Sequence, residues 1–124
     1  MKKIIVTTTI NEPTEALLRY SRFKDWKLII VGDLKTPHKK FKNLKNSIYL
    51  SPNDQEKISK RLSDAIGWNC IQRRNMGFLL ASKMGADVVA TVDDDNIPYN
   101  NWGKKLLLNK KHQQFDFENL LMYL

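Results

Sequence analysis

Apolar and polar positions along this chain follow two rhythms, and each change of rhythm predicts an element. Lys3 to Thr9 (KIIVTTT) is a short β-branched run closed by Asn11-Glu12-Pro13, which predicts a buried strand. Pro13 favours a helix start, and Glu15, Ala16, Leu17, Leu18 and Tyr20 follow in helical spacing. Lys27 to Val31 (KLIIV) predicts a second strand, stopped at Gly32-Asp33, and Ile48 to Leu50 a brief third. Ser51-Pro52-Asn53-Asp54 then opens a helix through QEKISKRLSDAIG, with Gly67 as its stop. Gln72 to Met84 predicts the strongest helix, with an apolar stripe of Met76, Leu79, Leu80 and Met84 and an end at Gly85. Val88 to Val92 predicts another buried strand, and it runs straight into Asp93, Asp94 and Asp95.

Strands that alternate with helices imply an α/β domain with a mostly parallel sheet. The expected layout is an α/β domain over 1–103 and an amphipathic tail over 104–124. That tail ends on apolar residues with little to pack against. It reads as the truncated start of a further half, or as a surface covered by a partner in a homo-oligomer. The first half then forms an incomplete sheet of the Rossmann-like, three-layer type.

Composition narrows the class. A hydrophobic content of 42% with 10% aromatics fits a globular chain. No stretch reaches the roughly 18 consecutive apolar residues of a membrane span. The N-terminus lacks a signal-peptide apolar core, and the single Cys70 excludes an internal disulfide or a zinc cluster. The expected setting is the cytoplasm. Net charge is +8, gathered at Lys35, Lys39, Lys40, Lys42 and Lys45 and again at Lys104, Lys105, Lys110 and Lys111. Such clusters predict either solvated loops or attraction to polyanions, including peripheral contact with an anionic membrane surface. No nucleic-acid motif accompanies them, so no specific nucleic-acid partner is expected. His38, inside the first cluster, reads as solvated.

The acidic triplet carries the chemistry. In open parallel sheets, ligands bind beyond the carboxyl ends of the strands, where Asp93 to Asp95 fall. Strand alternation would turn Asp93 and Asp95 to one side and Asp94 away. Two carboxylates on one side suit a hard divalent cation, Mg²⁺ or Mn²⁺, with coordination positions left for substrate phosphates. Pro98 breaks the strand beyond them and presses Ile97 towards an extended conformation. The bland alternative is an acidic loop, or a helix cap at Asp95 or Asn96.

The wider context resembles a known family. Arg74-Asn75-x-Gly77, Ala81, Gly85 and Asp93-x-Asp95 match, in order, a pattern of the GT-A glycosyltransferases, in which an Arg-Asn pair opens a helix that leads through a hydrophobic strand to Asp-x-Asp. VTTTINEP and the strand ending at Asp33 resemble the first two strands of that family. The likeness runs from residue 3 to about 102. Two narrower branches share it: the STELLO-like glycosyltransferases and the reversibly glycosylated polypeptides, which are sugar-nucleotide mutases.

The resemblance implies binding of a nucleoside-diphosphate sugar, UDP- or GDP-linked, and glycosyl transfer to an unknown acceptor. It implies Asp95 as ligand to Mn²⁺ or Mg²⁺, with Asp93 or Asp94 on the ribose or the metal's water shell. Asp33 would bond the base beside Thr8 and Thr9, and Arg73 or Arg74, next to Asn75, would approach the base or diphosphate. Either arginine could equally be a solvated helix residue, and Asp33 a turn cap. Trp68 and Trp102 could stack on a sugar or base, or pack in the core. His112, Asp116 and Glu118 are the candidates after the triplet for a base or further metal ligand, and no motif supports them. The competing readings are a truncated module that binds without transferring and, from another class, a phosphoryl-transfer enzyme using paired aspartates.

Overall fold

A computed structural model describes residues 1–106; the C-terminal segment, with Lys110, Lys111, His112, Asp116 and Glu118, lies outside the described residues. The elements run β1 (Lys3–Thr9), α1 (Glu15–Ser21), β2 (Lys27–Gly32), β3 (Ser47–Leu50), α2 (Pro52–Ile66), α3 (Arg74–Lys83) and β4 (Val88–Thr91). Short 3₁₀ turns lie at His38–Phe41 and Ile71–Arg73. The four strands form one sheet in the order β3-β2-β1-β4, and every pairing is parallel. The α/β class and its parallel sheet are as the alternation predicts.

Period-two alternation in β1 and β2 divides the core into two layers. Ile5, Leu28 and Ile30 face α1, where Ala16, Leu17, Tyr20, Trp26 and Phe41 cover them. Ile4, Val6, Ile29 and Val31 face the other side and pack on Leu50, Met76 and Ala81. The result is a helix–sheet–helix sandwich around β1 and β2. Each such side chain taken fully out of water stabilises the fold by about 1.5–3 kcal/mol before entropy is counted.

The helix ends follow local chemistry. Thr14 caps α1 by accepting the Leu17 amide at 3.2 Å. Ser51 and Asp54 make a reciprocal capping box at the start of α2, and Gly67 ends that helix. Two expectations need correction. Met76, Leu80 and Met84 of the expected stripe pack on the core, but the deepest face of α3 is Met76, Gly77 and Ala81, and Leu79 is only partly buried. The small residue at 77 lets the helix backbone approach Val6 and Val31, so the contact centres on Gly77 and leaves Leu79 at its margin. Likewise β4 is not fully buried. It pairs with β1 alone among the described residues, and its outward side leaves Val89 42% exposed.

Trp102 packs against Trp26, Tyr20 and Phe23, with ring centroids 5.1, 5.2 and 5.7 Å away. It is a core residue of the α1 side. At the β3 edge, Tyr49 stacks on Phe41 and its hydroxyl meets His38 Nδ1. His38 is therefore tied to the sheet rather than solvated. Burial pushes the Tyr49 phenol up to about 12. A phenol whose pKa is higher in the folded than in the unfolded chain contributes stability that is fully present below pH about 10 and is lost as pH rises towards 12. Denaturant midpoints measured across that window should fall more steeply for the native chain than for Tyr49→Phe.

Candidate functional site

Strand order reverses about β1: the chain moves outward through β2 and β3, then returns to place β4 on the other flank of β1. The carboxyl ends of β1, β2 and β4 thus meet at a switch point, where open α/β sheets form ligand crevices. A cleft of about 520 Å³ opens there. Thr8 and Thr9 from β1, Asp33 after β2, and Asp93, Asp94 and Asp95 after β4 all line it. Ile10, Asn11, Lys35 and the segment Asn69–Ile71 complete its wall. Arg73, Arg74, Asn75, Trp68 and Trp102 do not line it.

The three threonines of β1 act as cross-ties. Thr7 Oγ1 donates to the Val92 carbonyl (2.7 Å), Thr8 Oγ1 to the Val31 carbonyl (2.8 Å) and Thr9 Oγ1 to Asp94 Oδ2 (2.5 Å). Thr36 Oγ1 donates to the Thr9 carbonyl (2.6 Å) and accepts the Asp33 amide (2.8 Å). The ends of β2 and β4 are thereby held in register by hydroxyls placed at the last pleats of β1.

The acidic triplet is not arranged as strand alternation predicts. β4 ends at Thr91, and Asp94–Asp95 form a turn, so all three carboxylates reach the cleft. Asp94 is the anchored one. Its Oδ2 accepts from Thr9 Oγ1 and from Asn11 Nδ2 (2.9 Å), while its backbone carbonyl accepts from Thr14 Oγ1. Asp93 is held loosely, by Arg74 Nη2 at 3.5 Å and Asn96 Nδ2 at 3.3 Å. An exposed ion pair of that length is worth roughly 0–1 kcal/mol, so Asp93 is readily released. Asp95 is exposed and has no hydrogen-bond or ion-pair partner among the described residues. No helix starts at Asp95 or Asn96, so the capping alternative does not hold.

The donor set is of the type that a hard divalent cation takes. It offers carboxylate oxygens only, with Asp95 free and Asp93 weakly engaged, at a turn open to the cleft. Among the described residues, no group of three or more His, Cys, Asp and Glu side chains is placed to hold a metal ion. A cation here would complete its shell with water and ligand oxygens.

Arg74 sits at the first turn of α3, with Nη1 on Thr91 Oγ1 at 3.0 Å, and its buried Nε has no partner among the described residues. Asn75 is exposed beside it. Arg73 is neither solvated nor turned to the cleft: it is fully buried, and the ring of Trp68 lies 3.7 Å from its guanidinium carbon. Ile10, Asn11, Lys35, Asn69, Cys70 and Ile71 were not anticipated as site residues from the sequence. The turn residues Asn11 and Asn69 were readable as turn chemistry; nothing local marks Lys35 or Ile71.

Known proteins extend this picture. Over 93 residues, 75% of the chain, it is 32% identical to the probable glycosyltransferase STELLO2 and 31% identical to the probable glycosyltransferase STELLO1, both of Arabidopsis thaliana. The chain spans 12% of the length of each of these relatives. No family model matches it. The STELLO-like resemblance read from the acidic triplet and the helix before it is borne out.

Proposed function

We propose that this chain, a STELLO-like glycosyltransferase sequence, binds a nucleoside-diphosphate sugar in the cleft at the ends of β1, β2 and β4 and serves glycosyl transfer as its donor-binding part. The observation that carries the reading is the acidic turn: one carboxylate is locked into the fold and two are presented at the sheet's switch point. Both relatives named above are called probable glycosyltransferases.

In this reading Asp95 and Asp93 hold Mn²⁺ or Mg²⁺. The cation supplies charge neutralisation to the diphosphate, whose negative charge grows as the glycosidic bond breaks. Asp94 sets the position of the turn through Thr9, Asn11 and Thr14. Arg74 exchanges its long contact with Asp93 for a phosphate oxygen, a partner its planar fork suits well. Lys35, an exposed cation on the same cleft, adds to the attraction for a polyanionic donor. UDP- or GDP-linked sugars are the donor class.

Calorimetry on the full chain with UDP and GDP, with and without Mn²⁺, tests this. Binding should require the metal, and Asp95→Asn should weaken it at least about tenfold without lowering the melting temperature. Absence of metal-dependent binding to either nucleotide by the native chain would overturn the proposal.

A further inference from the structure

Residues 69–71, at the end of the segment 67–71, form one wall of the cleft, and two residues fix that segment from behind. Asp33 is 2% exposed, and its carboxylate accepts the amides of Leu34 (2.7 Å), Asn69 (3.0 Å) and Cys70 (3.3 Å). Arg73 is 0% exposed and commits all its N–H groups internally. Nε and Nη2 donate to Gln55 Oε1 (3.0 and 2.6 Å). Nη1 donates to the carbonyls of Ser63 (3.0 Å) and Gly67 (3.1 Å), and Nη2 also donates to Ser63 Oγ (2.9 Å). One pillar thus grips the start of the segment at Gly67 and the other its middle at Asn69 and Cys70. Two left-handed residues, Gly67 (φ 77°) and Asn69 (φ 58°), let the backbone turn between them.

What this wall presents to the cleft is different in kind. Asn69 is exposed, and its side-chain amide has no hydrogen-bond partner among the described residues. Ile71 is 56% exposed, and so is Ile10, which lines the same cleft. Large exposed apolar side chains beside an unspent amide are what a flat heterocycle needs: apolar surface for its faces, and a donor–acceptor pair for its edge.

We propose that the donor's base seats against Ile10 and Ile71 and is read at its edge by Asn69, while Asp33 and Arg73 are positioning residues that hold this wall. The inference rests on the donor-binding reading above and departs from the direct base contact implied for Asp33. A carboxylate that already accepts three amides in a buried position has little left to offer a ligand.

The test is calorimetry with UDP, CDP, GDP, ADP and inorganic pyrophosphate, each with Mn²⁺, alongside melting curves. The proteins are the full chain and its Asn69→Gly, Ile71→Ala and Asp33→Asn variants. Glycine removes the amide while keeping the left-handed backbone unstrained. Asn69→Gly should leave melting and pyrophosphate affinity unchanged and shrink the spread among the four nucleotides about tenfold. Ile71→Ala should weaken all nucleotides but not pyrophosphate. Asp33→Asn should lower the melting temperature and weaken the four nucleotides alike. A native chain that binds the four equally, or an Asn69→Gly spread that matches the native one, overturns the inference. An Asp33→Asn variant that melts normally but reorders base preference does so too, since Asp33 would then be the direct contact. In each of these cases the donor reading stands. Failure of the native chain to bind any nucleotide or pyrophosphate overturns both.

Discussion

Replacing Arg73 with leucine should destabilise the protein by about 3–5 kcal/mol, through the buried acceptors it leaves unpaired. The guanidinium is fully buried without a carboxylate partner; it is compensated by neutral acceptors on α2 and at Gly67 and by the Trp68 ring. Leucine leaves Gln55 Oε1 and Ser63 Oγ without their donor in a dry interior and frees the half-buried Gly67 carbonyl, while the Ser63 carbonyl keeps the Gly67 amide. Each unsatisfied buried group costs about 1–3 kcal/mol. Against this, leucine removes the penalty of burying a charge, which is why the net falls short of the sum. Lysine should rescue little, because a point charge cannot serve acceptors spread across a planar fork. The measurement is a urea unfolding curve. A midpoint within experimental scatter of the native one would show that these hydrogen bonds contribute nothing net.

The second large effect is expected at Gly77, where two tendencies oppose each other. Alanine at an exposed helix interior position gains about 1 kcal/mol over glycine. A Cβ at Gly77, however, would lie 2.5 Å from Val6 Cγ1 and 2.8 Å from Val31 Cγ2, both in the innermost strands. Forcing a methyl group into such a packed layer costs about 1–3 kcal/mol. The clash is with two short, branched side chains that have no free rotamer to retreat to, so the packing term decides the sign. Gly77→Ala should therefore destabilise, whereas Ser82→Ala, on the exposed side of the same helix, should gain a few tenths of a kcal/mol. If both alanines stabilise the chain in urea, α3 is not seated on the sheet as described.

Much of the fold was legible in the sequence because periodicity and turn chemistry agreed. β1 runs over the residues the β-branched run predicts, and α2 starts behind Ser51 and stops at Gly67 as its caps require. The sequence reading was weakest where a neighbour distant in the chain decided the matter. The Asp33 carboxylate is claimed by amides at 69 and 70, and nothing near Gly32-Asp33 announces them. Arg73 reads as a surface or ligand residue because arginines usually are; its burial depends on Gln55 and Ser63, which α2 happens to turn inward. Trp102 could be read as a stacking or a core residue, and the distant Trp26, Tyr20 and Phe23 decide for the core. The site itself was half legible. The residues at the strand ends fell where the topology puts ligands, but the wall at 69–71 belongs to a connection with no regular period.

One hydroxyl joins the acidic turn to the helix beside it. Thr14 Oγ1 donates to the Asp94 carbonyl while it accepts the Leu17 amide that begins α1. Helix entry and carboxylate turn therefore share Thr14, one of three side chains that hold Asp94. A ligand that steadies the turn should accordingly slow hydrogen exchange at the Leu17 amide, with no displacement of either side.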